Sequence, residues 1–148
     1  QSAYVYNDFN LIFGSSQALT FYSSRQQQLT HLQPGYYGLS NADLNTPWPK
    51  VSKGINQLEA FCTQSSSIDK RGLFEILQDR QGAEDEHLPE TGVGLEWERL
   101  LSSIFITSAA YGTRSSTVLL IDAQGTIDWT EISYDVAGKE CDSVHIQM

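Results

Sequence analysis

The chain has 148 residues, 40% hydrophobic and 11% aromatic, with nine Lys and Arg against eighteen Asp and Glu for a net charge of −9. Nucleic acid and anionic membrane surfaces are held by basic clusters, so this acidic balance excludes both as expected partners. The length predicts one domain over residues 1–148, with enough apolar residues to bury a core and no run long enough to span a bilayer.

In chain order, the short apolar run Phe9 to Phe13 is followed by Gly14-Ser15-Ser16 and then by Ala18 to Tyr22. Two β-rich runs around a Gly/Ser turn predict an antiparallel hairpin. Arg25 to Thr30 is polar and Gln-rich and reads as a hairpin tip or loop. After Pro34-Gly35, the stretch Tyr36 to Leu39 reads as a short strand ending at Ser40-Asn41. Trp48, Val51, Ile55, Leu58 and Cys62 then form one apolar stripe at helical spacing, and Pro47 and Pro49 fall where a first turn tolerates proline. A second helix is expected from Asp69 as N-cap, with Ile68 and Leu73 placed as a hydrophobic staple and Leu73, Phe74, Ile76 and Leu77 facing the core. Residues 79–94 are acidic and turn-rich, a surface loop. A third helix should bury Trp97, Leu100, Leu101, Ile104 and Phe105 and expose Glu96, Glu98, Arg99 and Ser102. Thr117 to Ile121 reads as a strand covered on both faces, Ile127 to Tyr134 as its hairpin partner, and Asp142 to Met148 as a last strand. The order predicts an α+β fold, with helices on one side of an antiparallel sheet.

Neither a GxGxxG nor a GxxxxGK[ST] pattern occurs, and no GxSxG nucleophile elbow. His31, His87 and His145 have no paired-ligand spacing, so no metal is expected, and no cofactor. Asp85-Glu86-His87 reads as surface charge. Cys62 and Cys141 form neither a disulfide framework nor a CxxC motif, and a cytoplasmic location is expected. Cys62 lies on the helical stripe and reads as core.

Two positions invite a chemical reading. Asn41, after the expected strand, either makes a turn or offers its amide N–H to a developing oxyanion. Arg114, at the mouth of an apolar strand, either pairs with one of the carboxylates or grips an anion in a site.

These stretches occur in order with others: Tyr6-Asn7-Asp8-Phe9-Asn10-Leu11, Pro34 to Asn41, Thr46-Pro47-Trp48-Pro49-Lys50, Leu88 to Val93, and Tyr111 to Thr117. Along most of its length the chain resembles the Transport and Golgi Organization 2 family, also called NRDE after an Asn-Arg-Asp-Glu motif. The resemblance implies an N-terminal-nucleophile (Ntn) hydrolase-like αββα sandwich of antiparallel sheets and helices. It also implies kinship with choloylglycine hydrolases and penicillin V acylases, which cleave linear amides. Family members resemble one another in beginning Met-Cys, with the Asn-Arg-Asp-Glu motif soon after.

This chain opens Gln1-Ser2-Ala3. It is therefore expected to correspond to the C-terminal part of a member, incomplete at the N-terminus, with an upstream segment of the same protein as its first partner. Ser2 is not expected to replace the missing nucleophile. By motif, the resemblance implies that Asn41 stabilises an oxyanion and that Arg114 lies beside the nucleophile. Non-catalytic binding of haem or a lipid is the alternative, with Tyr36, Tyr37, Trp48 and Trp97 lining an apolar cavity. Exposed sheet edges would further predict a homodimer.

Overall fold

The computed structural model describes residues 7–65 and 67–148. Gln1, Ser2 and Tyr6, named in the sequence reading, lie outside the described residues. The fold is α+β, with two three-stranded antiparallel sheets and three α-helices. The chain divides into two compact units, residues 1–46 and 47–148.

The first unit is a meander of β1 (Asn10–Ser15), β2 (Ala18–Ser23) and β3 (Gln28–His31). The expected hairpin forms, with Ser15 paired to Ala18 around a two-residue turn. Gly14 belongs to the strand rather than the turn. Its φ is +137°, and a Cβ there would lie 2.0 Å from the Ala18 carbonyl oxygen, so no other residue fits without moving the strand. Phe21 and Ser23 are buried on β2.

Two expectations are corrected in this unit. The segment read as a hairpin tip or loop does turn, at Gln27 with a left-handed φ of 53°, but its second half also supplies β3, with Gln28 to His31 paired to β2. Backbone pairing here overrides a polar composition, because an edge strand can take its ladder bonds from a buried neighbour while its own side chains face water. Conversely, Tyr36 to Leu39 forms no strand. The Gly38 amide donates to Asn45 Oδ1 at 2.9 Å and its carbonyl accepts from the Asn45 amide at 2.8 Å, which closes a loop instead of a ladder.

The second unit contains α1 (Pro49–Gln64), α2 (Lys70–Leu77), α3 (Leu95–Leu101), and a meander of β4 (Ser115–Ile121), β5 (Ile127–Tyr134) and β6 (Glu140–Gln147). Proline at the first position of α1 loses no helical hydrogen bond. Val51, on the predicted stripe, is buried, and Ile55, Leu58 and Cys62 are half-buried. Asp69 caps α2, its side chain accepting from the Arg71 amide at 3.1 Å. Ile68 stays 46% exposed, which leaves the expected staple open. Helix α2 packs on α1 and on β4. The core holds Val51, Phe74, Val118, and the edge-to-face pair Phe105 and Tyr134 with centroids 4.7 Å apart. The Tyr134 hydroxyl, inside that core, accepts from Gln78 Nε2 at 3.0 Å.

β4 is not covered on both faces. Val118 is 5% exposed whereas Leu119 is 56% exposed, the alternation of a half-buried strand. The apolar face of α3 is also reassigned: Trp97 is 46% exposed and Glu98 only 7%. The reason is local. Thr91, in the preceding loop, donates its amide and its hydroxyl to Glu98 Oε1 at 2.7 and 2.5 Å, so the carboxylate can be buried satisfied. No helix among the described residues is long and apolar enough to cross a membrane.

Candidate functional site

Asn41 lies in the first unit, in an irregular loop rather than at a strand end, and is exposed. The loop around it is pinned at several points. Asn10 Nδ2 donates to the Ala42 carbonyl at 2.8 Å, and Ser23 Oγ and Gln26 Nε2 donate to the two Asp43 carboxylate oxygens at 3.0 and 2.7 Å. The left-handed residue of this loop is Asn45, φ 58°, so the turn does not need Asn41. Asn41 Oδ1 accepts from Ser40 Oγ at 3.3 Å, and the Asn41 amide N–H donors have no partner among the described residues. A rigid loop thus presents an uncommitted donor pair to its surroundings.

Arg114 lies in the second unit, just before β4, and is exposed. Its backbone is also held on both sides. The Arg114 carbonyl accepts from the Tyr134 amide at 2.8 Å, and the preceding Thr113 exchanges bonds with Ile106: Thr113 N donates to the Ile106 carbonyl at 2.8 Å, and Thr113 Oγ1 accepts from Ile106 N at 2.9 Å. Despite the acidic composition, the guanidinium forms no ion pair among the described residues, unlike Arg71 and Arg99. The two residues fall in separate units, and each is placed within its own.

The other polar and aromatic candidates are engaged elsewhere or stand apart. Asp85 is held by Arg99 Nη2 at 2.6 Å, and Arg99 also meets Glu96. The Arg99 guanidinium lowers the Asp85 carboxyl below its ordinary range. His87 lies on the exposed loop, 3.9 Å from Glu86. Cys141 is exposed with its thiol near the Ser133 carbonyl, and Cys62 is half-buried on α1. Of the four aromatics, Tyr36 and Tyr37 lie in the first unit and Trp48 and Trp97 in the second: Tyr37 donates its hydroxyl to the Gln33 carbonyl at 2.8 Å, and Trp97 packs edge-on to Tyr111 at 5.9 Å, both residues about half exposed.

A cleft that the sequence did not announce opens inside the second unit beside the start of α1, with a volume of about 460 Å³. Its lining includes Pro47, Pro49 and Lys50 from the start of α1, Gly82, Glu84 and His87 from the loop that follows α2, and Ser102 and Ile104 after α3. Gly82 is close-packed there, since a Cβ would come within 2.9 Å of Ser102 Oγ. That hydroxyl is already committed, donating to the Arg99 carbonyl and accepting from the Ala83 amide. At the rim, Asp79 Oδ2 accepts from Lys53 Nζ at 2.5 Å and Gln57 Nε2 at 3.0 Å, and its Oδ1 accepts from the Gln81 amide at 2.9 Å. Burial pushes the Asp79 carboxyl up, and the bonds and charge of Lys53, with those from Gln81 and Gln57, outweigh it and hold the group below its ordinary value. The one signal of this cleft in the sequence is the Thr46 to Lys50 stretch, which by itself reads only as a helix start and a family motif.

A family profile described as Transport and Golgi organisation 2 matches residues 1–136. The mouse "Transport and Golgi organization 2 homolog" is 32% identical over 143 residues, covering 88% of this chain and 52% of its own length. The human and bovine "Transport and Golgi organization protein 2 homolog" proteins match with the same identity and coverage. The chain therefore spans about half the length of the curated relatives it matches. With order of motifs, profile and relatives in agreement, the chain belongs to the Transport and Golgi organisation 2 family.

Proposed function

We propose that the protein is an amidohydrolase of the N-terminal-nucleophile type, in which this chain supplies Asn41 as oxyanion donor and Arg114 as the cation beside the nucleophile. The observation that carries the reading is the state of those two side chains. Each sits on a backbone fixed from both sides, and each leaves its polar end without a structural partner among the described residues. Both side chains are exposed, where water can satisfy them, so what supports the reading is that the fold leaves their donors available rather than bonded. In this reading the nucleophile is the thiolate of an N-terminal cysteine of the whole protein.

The chemistry balances without a cofactor. The α-amine takes the proton of the cysteine thiol as the resulting thiolate adds to the amide carbonyl, and Asn41 donates to the oxyanion. The C–N bond breaks, the amine leaves with that proton, and water hydrolyses the thioester to a carboxylic acid. Arg114 favours the thiolate and the anionic intermediate. Assaying the whole protein against linear acyl amides tests this. Turnover that falls about 100-fold or more in Asn41→Ala is expected. No turnover with the cysteine intact rejects the reading.

A second reading, binding of haem or a lipid without turnover, is favoured by one apolar patch. Trp97 and Tyr111, edge-on at 5.9 Å, are 46% and 48% exposed in the second unit, an aromatic pair suited to a flat or oily ligand, and Val93 and Leu95, just before Trp97 in the chain, are exposed as well. A saturable Soret shift on haem titration, reduced in Trp97→Ala, supports it; an unsaturable titration counts against haem.

A further inference from the structure

We propose that the cleft beside the start of α1 binds a small organic carboxylate, with the Lys50 ammonium taking the carboxylate and Pro47, Pro49 and Ile104 the adjoining short apolar chain. The inference is independent of amide hydrolysis, since neither Asn41 nor Arg114 lines this cleft.

The argument starts from charge. With eighteen carboxylates to nine cations, a lysine has no shortage of partners. Lys53 pairs with Asp79 and Lys70 with Asp128, yet Lys50 forms no ion pair among the described residues. It is nevertheless half-buried. Its Nζ donates to the Leu101 carbonyl at 2.9 Å and lies 5.9 Å from the centre of the Trp48 ring. An ammonium has three donors, so two remain for a ligand. Burial lowers the Lys50 pKa, and the charge of Glu98 opposes that without forming a bond to it. The Glu98 Oε1 atom is already taken by Thr91. A partly desolvated cation with free donors attracts an anion more strongly than the same group in water.

Size and charge count then select the ligand. A volume of about 460 Å³ falls in the range of small-molecule pockets. Lys53 is neutralised by Asp79, so Lys50 is the lysine of the cleft outside an ion pair among the described residues, while Glu84, which lines the cleft with His87, disfavours a second negative charge there. That suits a monoanion better than a phosphate dianion. The proline rings and Ile104 offer apolar contact to a chain attached to it.

Calorimetric titration of the full chain at pH 7 with hexanoate, acetate and inorganic phosphate tests the proposal. Hexanoate should bind saturably and more tightly than acetate or phosphate. Lys50→Gln should weaken it about tenfold or more, the loss of a charge-assisted hydrogen bond. Lys139→Gln, on an exposed turn, should leave binding unchanged. A second readout uses the unaltered protein: by NMR, the Lys50 ammonium should titrate at higher pH with hexanoate bound than without. Absence of saturable binding at tens of millimolar overturns the proposal. So does phosphate binding more tightly than hexanoate, equal affinity in a folded Lys50→Gln variant, or an unmoved Lys50 titration at saturation.

Discussion

Replacing Asp79 by alanine removes three acceptor contacts, one of them an ion pair, from the link between α1 and the chain leaving α2. The Asp79 side chain is 15% exposed and Lys53 33%, so the pair is partly shielded but not dry. Hydrogen bonds to a charged group contribute about 1.5–3 kcal/mol each, and exposed ion pairs add little beyond that. The Gln81 amide can be rehydrated at the surface. Gln57 cannot so readily: its Oε1 is already buried without a partner, and losing Asp79 would orphan the amide nitrogen too. Together these give an expected loss of about 3 kcal/mol, or roughly 6–12 °C in Tm for a chain of this size. The sign of the pH effect follows from the lowered carboxyl pKa. The stabilisation is fully present above the unfolded carboxylate pKa of about 3.9 and is lost as pH falls through the still lower folded value. Urea unfolding of both proteins at several pH values measures the gap. It should be constant from about pH 7 to 5 and shrink below about pH 4. A loss under about 1 kcal/mol, or a gap unchanged down to pH 3, would refute the reasoning, because the carboxylate would then contribute no more than its packing.

Three further outcomes follow from packing. Gly72→Ala places a Cβ 2.3 Å from the Phe61 ring where α1 meets α2, and thermal melts should show a loss of about 1–3 kcal/mol although alanine is the better helix former. Phe105→Ala empties a site 1% exposed, beside Tyr134 and 4.5 Å from the Arg80 guanidinium, and should cost about 3–5 kcal/mol in urea unfolding. Gly14→Ala drives a Cβ into the Ala18 carbonyl, so amide exchange of β1 should quicken sharply while that of β5 stays protected.

Elements with a strong local signal were legible. The β1–β2 hairpin, the α1 stripe, the Asp69 cap and the β4–β5 hairpin each follow from periodicity or a turn that neighbouring residues specify by themselves. Elements whose identity depends on a distant partner were not. Gln28 to His31 becomes a strand because β2 offers it a ladder, and Tyr36 to Leu39 fails to become one because Asn45 takes the Gly38 backbone groups. The site divides the same way. Asn41 and Arg114 came from the order of family motifs, whereas the freedom of their side chains became apparent only once their neighbours were placed.

The sequence by itself determined the composition class, the α+β order of elements and the family, since each rests on residue identity and near-neighbour spacing. Tertiary structure decided which polar groups were consumed. Glu98 went inside because Thr91 met it, Asp85 was spent on Arg99, and Lys50 was left at a cleft with no ion-pair partner among the described residues. The reason is that a hydrogen bond or an ion pair is a property of two groups brought together. One-dimensional spacing can name a candidate donor, but only the fold shows whether another part of the protein has already claimed it.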